Sequence, residues 1–111
     1  MGDKADVWQG TLALMVLKTI EAMGPLHGYG IAKALRMMSH DALAIEFGSL
    51  YPALKRLELK GWISAKWETS ERNRQARVYK LTAGGRKQLR QEHSKWTEFV
   101  AAVSRVMETA S

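Results

Sequence analysis

GSLYPALKRLELKGWISAKWETSERNRQARVYK, residues 48–80, reads as a helix followed by a two-stranded ribbon. Leu50, Leu54 and Leu57 fall at i, i+4 and i+7, so one stripe of the helix is apolar and presses on a core. Ser49, Tyr51, Pro52, Ala53, Lys55, Arg56 and Lys60 lie off that stripe. Ser49 suits an N-cap, which puts Pro52 in the first turn, where its missing N–H has no intrahelical acceptor to lose. Gly61 can take the left-handed conformation that closes helices, so the helix is expected to end at Lys60. Beyond it, residues 62–68 and 77–82 are rich in β-branched and aromatic side chains and read as strands. The polar run between them, residues 69–75, can bury nothing and is expected at a hairpin tip.

Charge singles out the same unit. Residues 48–80 hold eight Lys or Arg (Lys55, Arg56, Lys60, Lys66, Arg72, Arg74, Arg77, Lys80) against Glu58, Glu68 and Glu71, a local balance of +5 within a chain of net charge +6. A helix with a polar outer face beside a basic hairpin tip is the arrangement that reads double-stranded DNA: the helix fits the major groove and the tip follows adjacent phosphates.

The runs GSLYPALKRLELKGWI (48–63) and ARVYKLTAGGRKQL (76–89), Trp67, and the earlier HGYG (27–30) together resemble the PadR family of bacterial winged helix-turn-helix transcription regulators. The resemblance extends from about Leu12 to Leu89, and the joint pattern is more specific than any single piece. It implies a mainly α fold with a small β-hairpin wing: a winged helix-turn-helix plus one long C-terminal helix. The implied activity is that of a dimeric DNA-binding regulator, usually a repressor, with its wing at residues 69–76. Gly30 stands where the family often has an acidic residue, so any role of that acid is absent here.

A length of 111 residues suits one small unit, divisible into a winged-helix part (1–82) with an N-terminal helix and a C-terminal dimerisation helix (83–111). With 46% hydrophobic and 25% charged residues the composition is that of ordinary globular protein. The chain has no cysteine, which excludes disulfides and thiolate metal sites and fits a reducing compartment. The first residues, MGDKADVW, are acidic where a signal peptide is basic, and the apolar run 12–17 is far shorter than the roughly 20 residues of a membrane span. The expected location is cytoplasmic, without membrane attachment. Enzymatic activity finds no support. Ser39, His40 and Asp41 are adjacent and diverge, whereas a hydrolytic triad converges from separate elements. His27, His40 and His93 share no face, so neither a metal nor another cofactor is expected.

The rest of the chain supplies helices. Residues 7–23 place apolar side chains at 8, 12, 15, 16, 20 and 23, a stripe wider than one core contact requires. Gly24-Pro25 breaks that helix, and a second starts near Gly28 with Ile31, Leu35 and Met38 in register. Residues 39–47 are a connector in which Leu43, Ile45 and Phe47 either form a short strand edge or plug the core. Thr82 suits the N-cap of a last helix, 83–107, on which Leu89, Trp96, Val100, Val103 and Met107 recur at seam spacing. So small a domain cannot bury that seam, which points to a homodimer through Trp8, Leu12, Leu89, Trp96, Val100, Val103 and Met107.

Candidate DNA contacts are Ser49 and Tyr51 toward the groove, Lys55 and Arg56 toward phosphates, and Arg72, Asn73, Arg74 and Arg77 on the wing. Tyr29 reads either as a core aromatic or as a phosphate contact. Trp62 and Trp67, five apart, face opposite sides of the first wing strand, and the simplest role for either is packing. Trp8, Met15 and Trp96 either line a cavity for a planar aromatic small molecule or fill the seam. A rival from another class remains open, a winged-helix module whose basic ribbon meets an acidic protein surface.

Overall fold

The computed structural model describes residues 4–69 and 71–110, with side chains from residue 8 onward. Its elements run α1 (Lys4–Met23), β1 (Leu26–His27), α2 (Gly28–Met38), α3 (Phe47–Leu59), β2 (Ile63–Thr69), β3 (Gln75–Leu81) and α4 (Ala83–Met107). The expected mainly α fold with a hairpin wing is the fold observed. The helix-turn-helix is α2 and α3, the wing is β2 and β3, and α4 is the long last helix. Ser70, part of the predicted tip, lies outside the described residues.

One core holds these elements together. Leu12, Val16, Leu17 and Ile20 of α1 meet Ile31 and Leu35 of α2, the stripe Leu50, Ala53, Leu54 and Leu57 of α3, and Ile63, Tyr79 and Leu81 of the sheet. The leucine stripe read from the sequence is therefore the buried face of α3. Thr19 is the one fully buried polar side chain among the described residues, and its hydroxyl donates to the Met15 carbonyl at 2.7 Å, the partner that makes its burial tolerable.

The sheet departs from the expected two-stranded ribbon. It has three antiparallel strands in the order β1-β3-β2, because Leu26 and His27 pair with Tyr79 and Val78. His27 also caps α2, its Nδ1 accepting from the Gly30 amide at 3.2 Å, so this histidine has a structural task. The start of α3 also differs. Glu46 is the N-cap, without a side-chain cap bond, and its carbonyl accepts from the amides of Ser49 and Leu50. Ser49 is thus inside the first turn and does not cap. Pro52 is correspondingly one turn deeper than expected, where its ring leaves the carbonyl of exposed Gly48 to solvent. The helix ends as read, with Lys60 as C-cap and Gly61 at φ +76°.

Thr82 caps α4 as expected and also ties it to the end of α3. Its hydroxyl donates to the Gly61 carbonyl at 2.7 Å and accepts from the Gly85 amide at 2.9 Å, while its own amide donates to the Trp62 carbonyl at 3.1 Å. This knot draws the first turn of α4 so close to residue 62 that a Cβ on Gly85 would collide with the Trp62 carbonyl oxygen and would lie 2.8 Å from Leu81 Cδ1. Only glycine fits there. Gly85→Ala is expected to lower stability by about 2–3 kcal/mol through overpacking, whereas Gly84→Ala, whose Cβ meets only ordinary contacts, should be neutral or better. Urea unfolding of the two variants checks this.

Candidate nucleic-acid interface

Burial of the leucine stripe fixes the rotation of α3 about its axis. At about 100° per residue, Phe47, Tyr51, Lys55 and Glu58 then share one flank, toward α2 and the wing. Ser49, Arg56 and Lys60 share the other, toward α1. Tyr51 and Lys55 are exposed, as are Ser49 and Arg56, so all four α3 candidates reach solvent, but from two sides of the helix. Arg56 lines a groove with Gln9, Ala13 and Gln88, and Lys60 places its Nζ 4.8 Å from the Trp62 ring centroid.

Tyr29 is not a core residue. It is 62% exposed, and its ring stacks on Phe47 at 6.5 Å between centroids. Phe47 in turn stacks on Tyr51 at 5.4 Å. The structure therefore joins two candidates, Tyr29 of α2 and Tyr51 of α3, through a third ring that the sequence reading had placed in the connector. The signal for Phe47 was present: it is four residues before Tyr51 on the same flank, a relation hidden by starting the helix at Ser49.

The wing is fixed to α3 by one pair. Arg77 Nη2 donates to Glu58 Oε2 at 2.6 Å, and the guanidinium carbon lies 5.5 Å from the centroid of the cross-strand Trp67 ring. Arg77 Nε is buried without a hydrogen-bond partner. Arg77, expected on DNA, is thus engaged in orienting the hairpin against α3. Trp67 shares the sheet face of Ile63 and Ala65 but stands beyond the core, 62% exposed, with its ring against Arg77, while Trp62 is half-buried against the core. Beside this pair, burial pushes the Tyr79 hydroxyl above its usual pKa and Arg77 partly offsets the rise. At the tip Arg72, Asn73 and Arg74 are exposed, and Asn73 takes φ +58°, a conformation asparagine tolerates in tight turns.

Away from this face, Leu12 and Leu89 are buried in the chain's own core, so they have no surface to offer a second copy, contrary to the expected seam. Trp96, Phe99, Val100, Val103, Val106 and Met107 of α4 are exposed, as is Trp8. Met15 and Trp96 share a groove of about 340 Å³ with Leu35, Met38, Leu43 and His93. Trp8 does not line it. Ser39 and Asp41 serve the α2 terminus: the Ser39 hydroxyl donates to the Arg36 carbonyl and Asp41 pairs with Arg36 at 3.2 Å. No group of His, Cys, Asp or Glu among the described residues is placed to hold a metal, and no described helix is long and apolar enough to cross a membrane.

Comparison with known proteins places this geometry. No curated protein matches the chain significantly. A transcriptional regulator from Clostridium thermocellum is similar in structure, with a TM-score of 0.80 at 26% identity, over 90% of this chain and 96% of that one. A PadR-like transcription factor from Bacteroides fragilis gives 0.78 at 25% identity, over 93% and 96%. A PadR family transcriptional regulator from Eggerthella lenta gives 0.78 at 26%, over 96% and 89%. The model of the PadR-like transcriptional regulator family matches residues 16–91, a span that contains α2, α3, the wing and the Thr82 knot. The chain belongs to the PadR-like family of transcriptional regulators.

Proposed function

We propose that the chain is a cytoplasmic, sequence-specific repressor that binds an inverted-repeat operator as a homodimer. The observation that carries this reading is the joint exposure of α3's outer face and the basic wing tip, with apolar side chains of α4 left exposed. Tyr51 and Ser49 lie toward base edges, Lys55 and Arg56 toward phosphates, with Tyr29 beside them and Arg72, Asn73 and Arg74 along the neighbouring backbone. Two α3 helices related by a two-fold axis reach successive major grooves about 34 Å apart.

The rival reading is a winged-helix module whose basic ribbon meets an acidic protein surface, and selection on DNA separates the two. Selection from random duplex DNA should enrich an inverted repeat with half-sites about one helical turn apart; enrichment of nothing over bulk DNA would favour the rival. On the selected operator, Arg72→Ala should weaken binding to all sequences alike and lower the salt slope by about one unit per lost phosphate contact, hence about two per dimer. Ser49→Ala or Tyr51→Phe should instead change base preference.

The dimer rests on the outer half of α4. Trp96, Phe99, Val100, Val103, Val106 and Met107 are each worth roughly 1.5–3 kcal/mol when fully buried, and each keeps a large share of its surface exposed in the single chain. A chain ending at Leu89 is expected to be monomeric or unfolded and to lose operator binding even though α3 is intact. A stable truncated dimer would place the interface elsewhere.

The groove beside Met15 and Trp96 favours an added feature, release by a planar aromatic effector. A ligand there can detach DNA only to the extent that it prefers the non-binding spacing of the two α3 helices, and a tenfold loss of operator affinity needs about 1.4 kcal/mol of that preference. Titration with planar aromatic cations and phenols should quench tryptophan emission saturably, and Trp96→Ala should abolish the quenching while still dimerising. No saturable change with any compound would leave the seam filled and the regulator unresponsive.

A further inference from the structure

We infer that Phe47 is a specificity-determining residue whose ring packs on the C5-methyl group of one thymine in each half-site. The inference deepens the proposed function and rests on α3 entering the major groove.

Phe47 is the first residue of α3 and is 43% exposed, although the core stripe of that helix closes without it. It stands on the flank shared with Tyr51 and Lys55, in the first turn, the part of a recognition helix that reaches base edges. Its ring is not free to swing. Tyr29 stacks on it with an interplanar angle of 25° and Tyr51 with one of 26°. Tyr51 is itself held in place by a missing side chain: a Cβ on Gly28 would come within 2.8 Å of Tyr51 Cε1. On the α2 side Ala32, Lys33 and Arg36 border the hollow that Tyr29 and Phe47 line with Ala44 and Ile45. The result is a pre-ordered ledge of three stacked rings, bordered on the α2 side by Lys33 and Arg36.

Such a ledge has one partner in the major groove. Every base pair presents hydrogen-bonding groups there, and the thymine methyl is the apolar feature among them. Tyr29 and Tyr51 can satisfy phosphates or base edges through their hydroxyls, but Phe47 has no donor or acceptor. Set against guanine O6 and N7 or cytosine N4, its ring would strip water from polar atoms and return nothing. Set against a thymine methyl, it covers apolar surface on both sides. An exposed ring at this position thus excludes three bases more than it attracts the fourth, which is how apolar contacts contribute specificity.

The test uses the full chain and the operator obtained by selection. Each thymine is replaced in turn by deoxyuridine, which removes the methyl and keeps the base pair, and affinity is read by fluorescence anisotropy. At one position per half-site, uracil is expected to weaken binding about fourfold, or about fifteenfold when both half-sites are changed, the effect of uncovering one or two methyl groups. Phe47→Ala, which removes an exposed side chain and leaves the core intact, should bind the thymine and uracil operators equally while keeping its dimer and its salt slope. Phe47→Leu should retain part of the discrimination. Discrimination that survives in Phe47→Ala, or no position at which uracil matters on an operator the chain does select, would overturn the inference and leave DNA reading by α3 standing. Failure to select any operator would overturn the proposed function itself, and this inference with it.

Discussion

The burial of Leu50, Ala53, Leu54 and Leu57 against α1 and the sheet is the constraint on which the rest depends. Those four side chains are buried together, and a helix with one buried stripe has no freedom of rotation left. Every assignment on its outer face follows from that angle. Tyr51 and Lys55 fall beside α2 and the wing, Ser49 and Arg56 fall toward α1, and Phe47 emerges beside Tyr29. Replacing one large stripe residue by alanine would cost a few kcal/mol in a core of this kind, and it would also loosen the angle at which the outer face is presented.

Two short devices hold the neighbours of α3 at fixed positions. The Glu58–Arg77 pair, with Trp67 over the guanidinium, sets the wing. The Thr82 knot, with Gly85 pressed on the Trp62 carbonyl, sets the root of α4. Both reach back to α3 or its C-terminus, so α3, the wing and α4 share one reference frame. A shift of α4 would therefore be carried to α3 with little loss. The molecule is 61 Å in its longest dimension against 29 and 24 Å in the others, the shape of a small head with a lever.

Much of this was legible in the sequence because it rests on local rules. The leucine period, Gly61 as terminator, Thr82 as cap and the polar tip each follow from one residue's backbone or side-chain preference. What was not legible rests on pairing or on competition between rules. A two-residue strand such as β1 has no period of its own and exists only because β3 offers it an edge. Ser49 is a better cap than Glu46 on propensity, but the backbone bonds of the Glu46 carbonyl decide the start of α3, and that displacement of one turn hid Phe47. Arg77 carries the same charge as Arg72, and only the fold shows that Glu58 stands opposite one of them. Leu12 and Leu89 have the spacing of a seam, yet a core and a seam look alike in one dimension. Tyr29 is exposed because it stands on the face of α2 turned from the core, and Met38, though in register with Ile31 and Leu35, because it ends the helix outside the core cluster.

The central claim is that two copies of this chain each place α3 in a major groove. Dimethyl sulfate protection measures that directly, since it modifies guanine N7 in the major groove. On an operator with guanines spread through both half-sites, the account predicts two patches of N7 protection on one face of the duplex, centred about 10 base pairs apart. A single patch, or uniform N7 reactivity in a saturated complex, would contradict it.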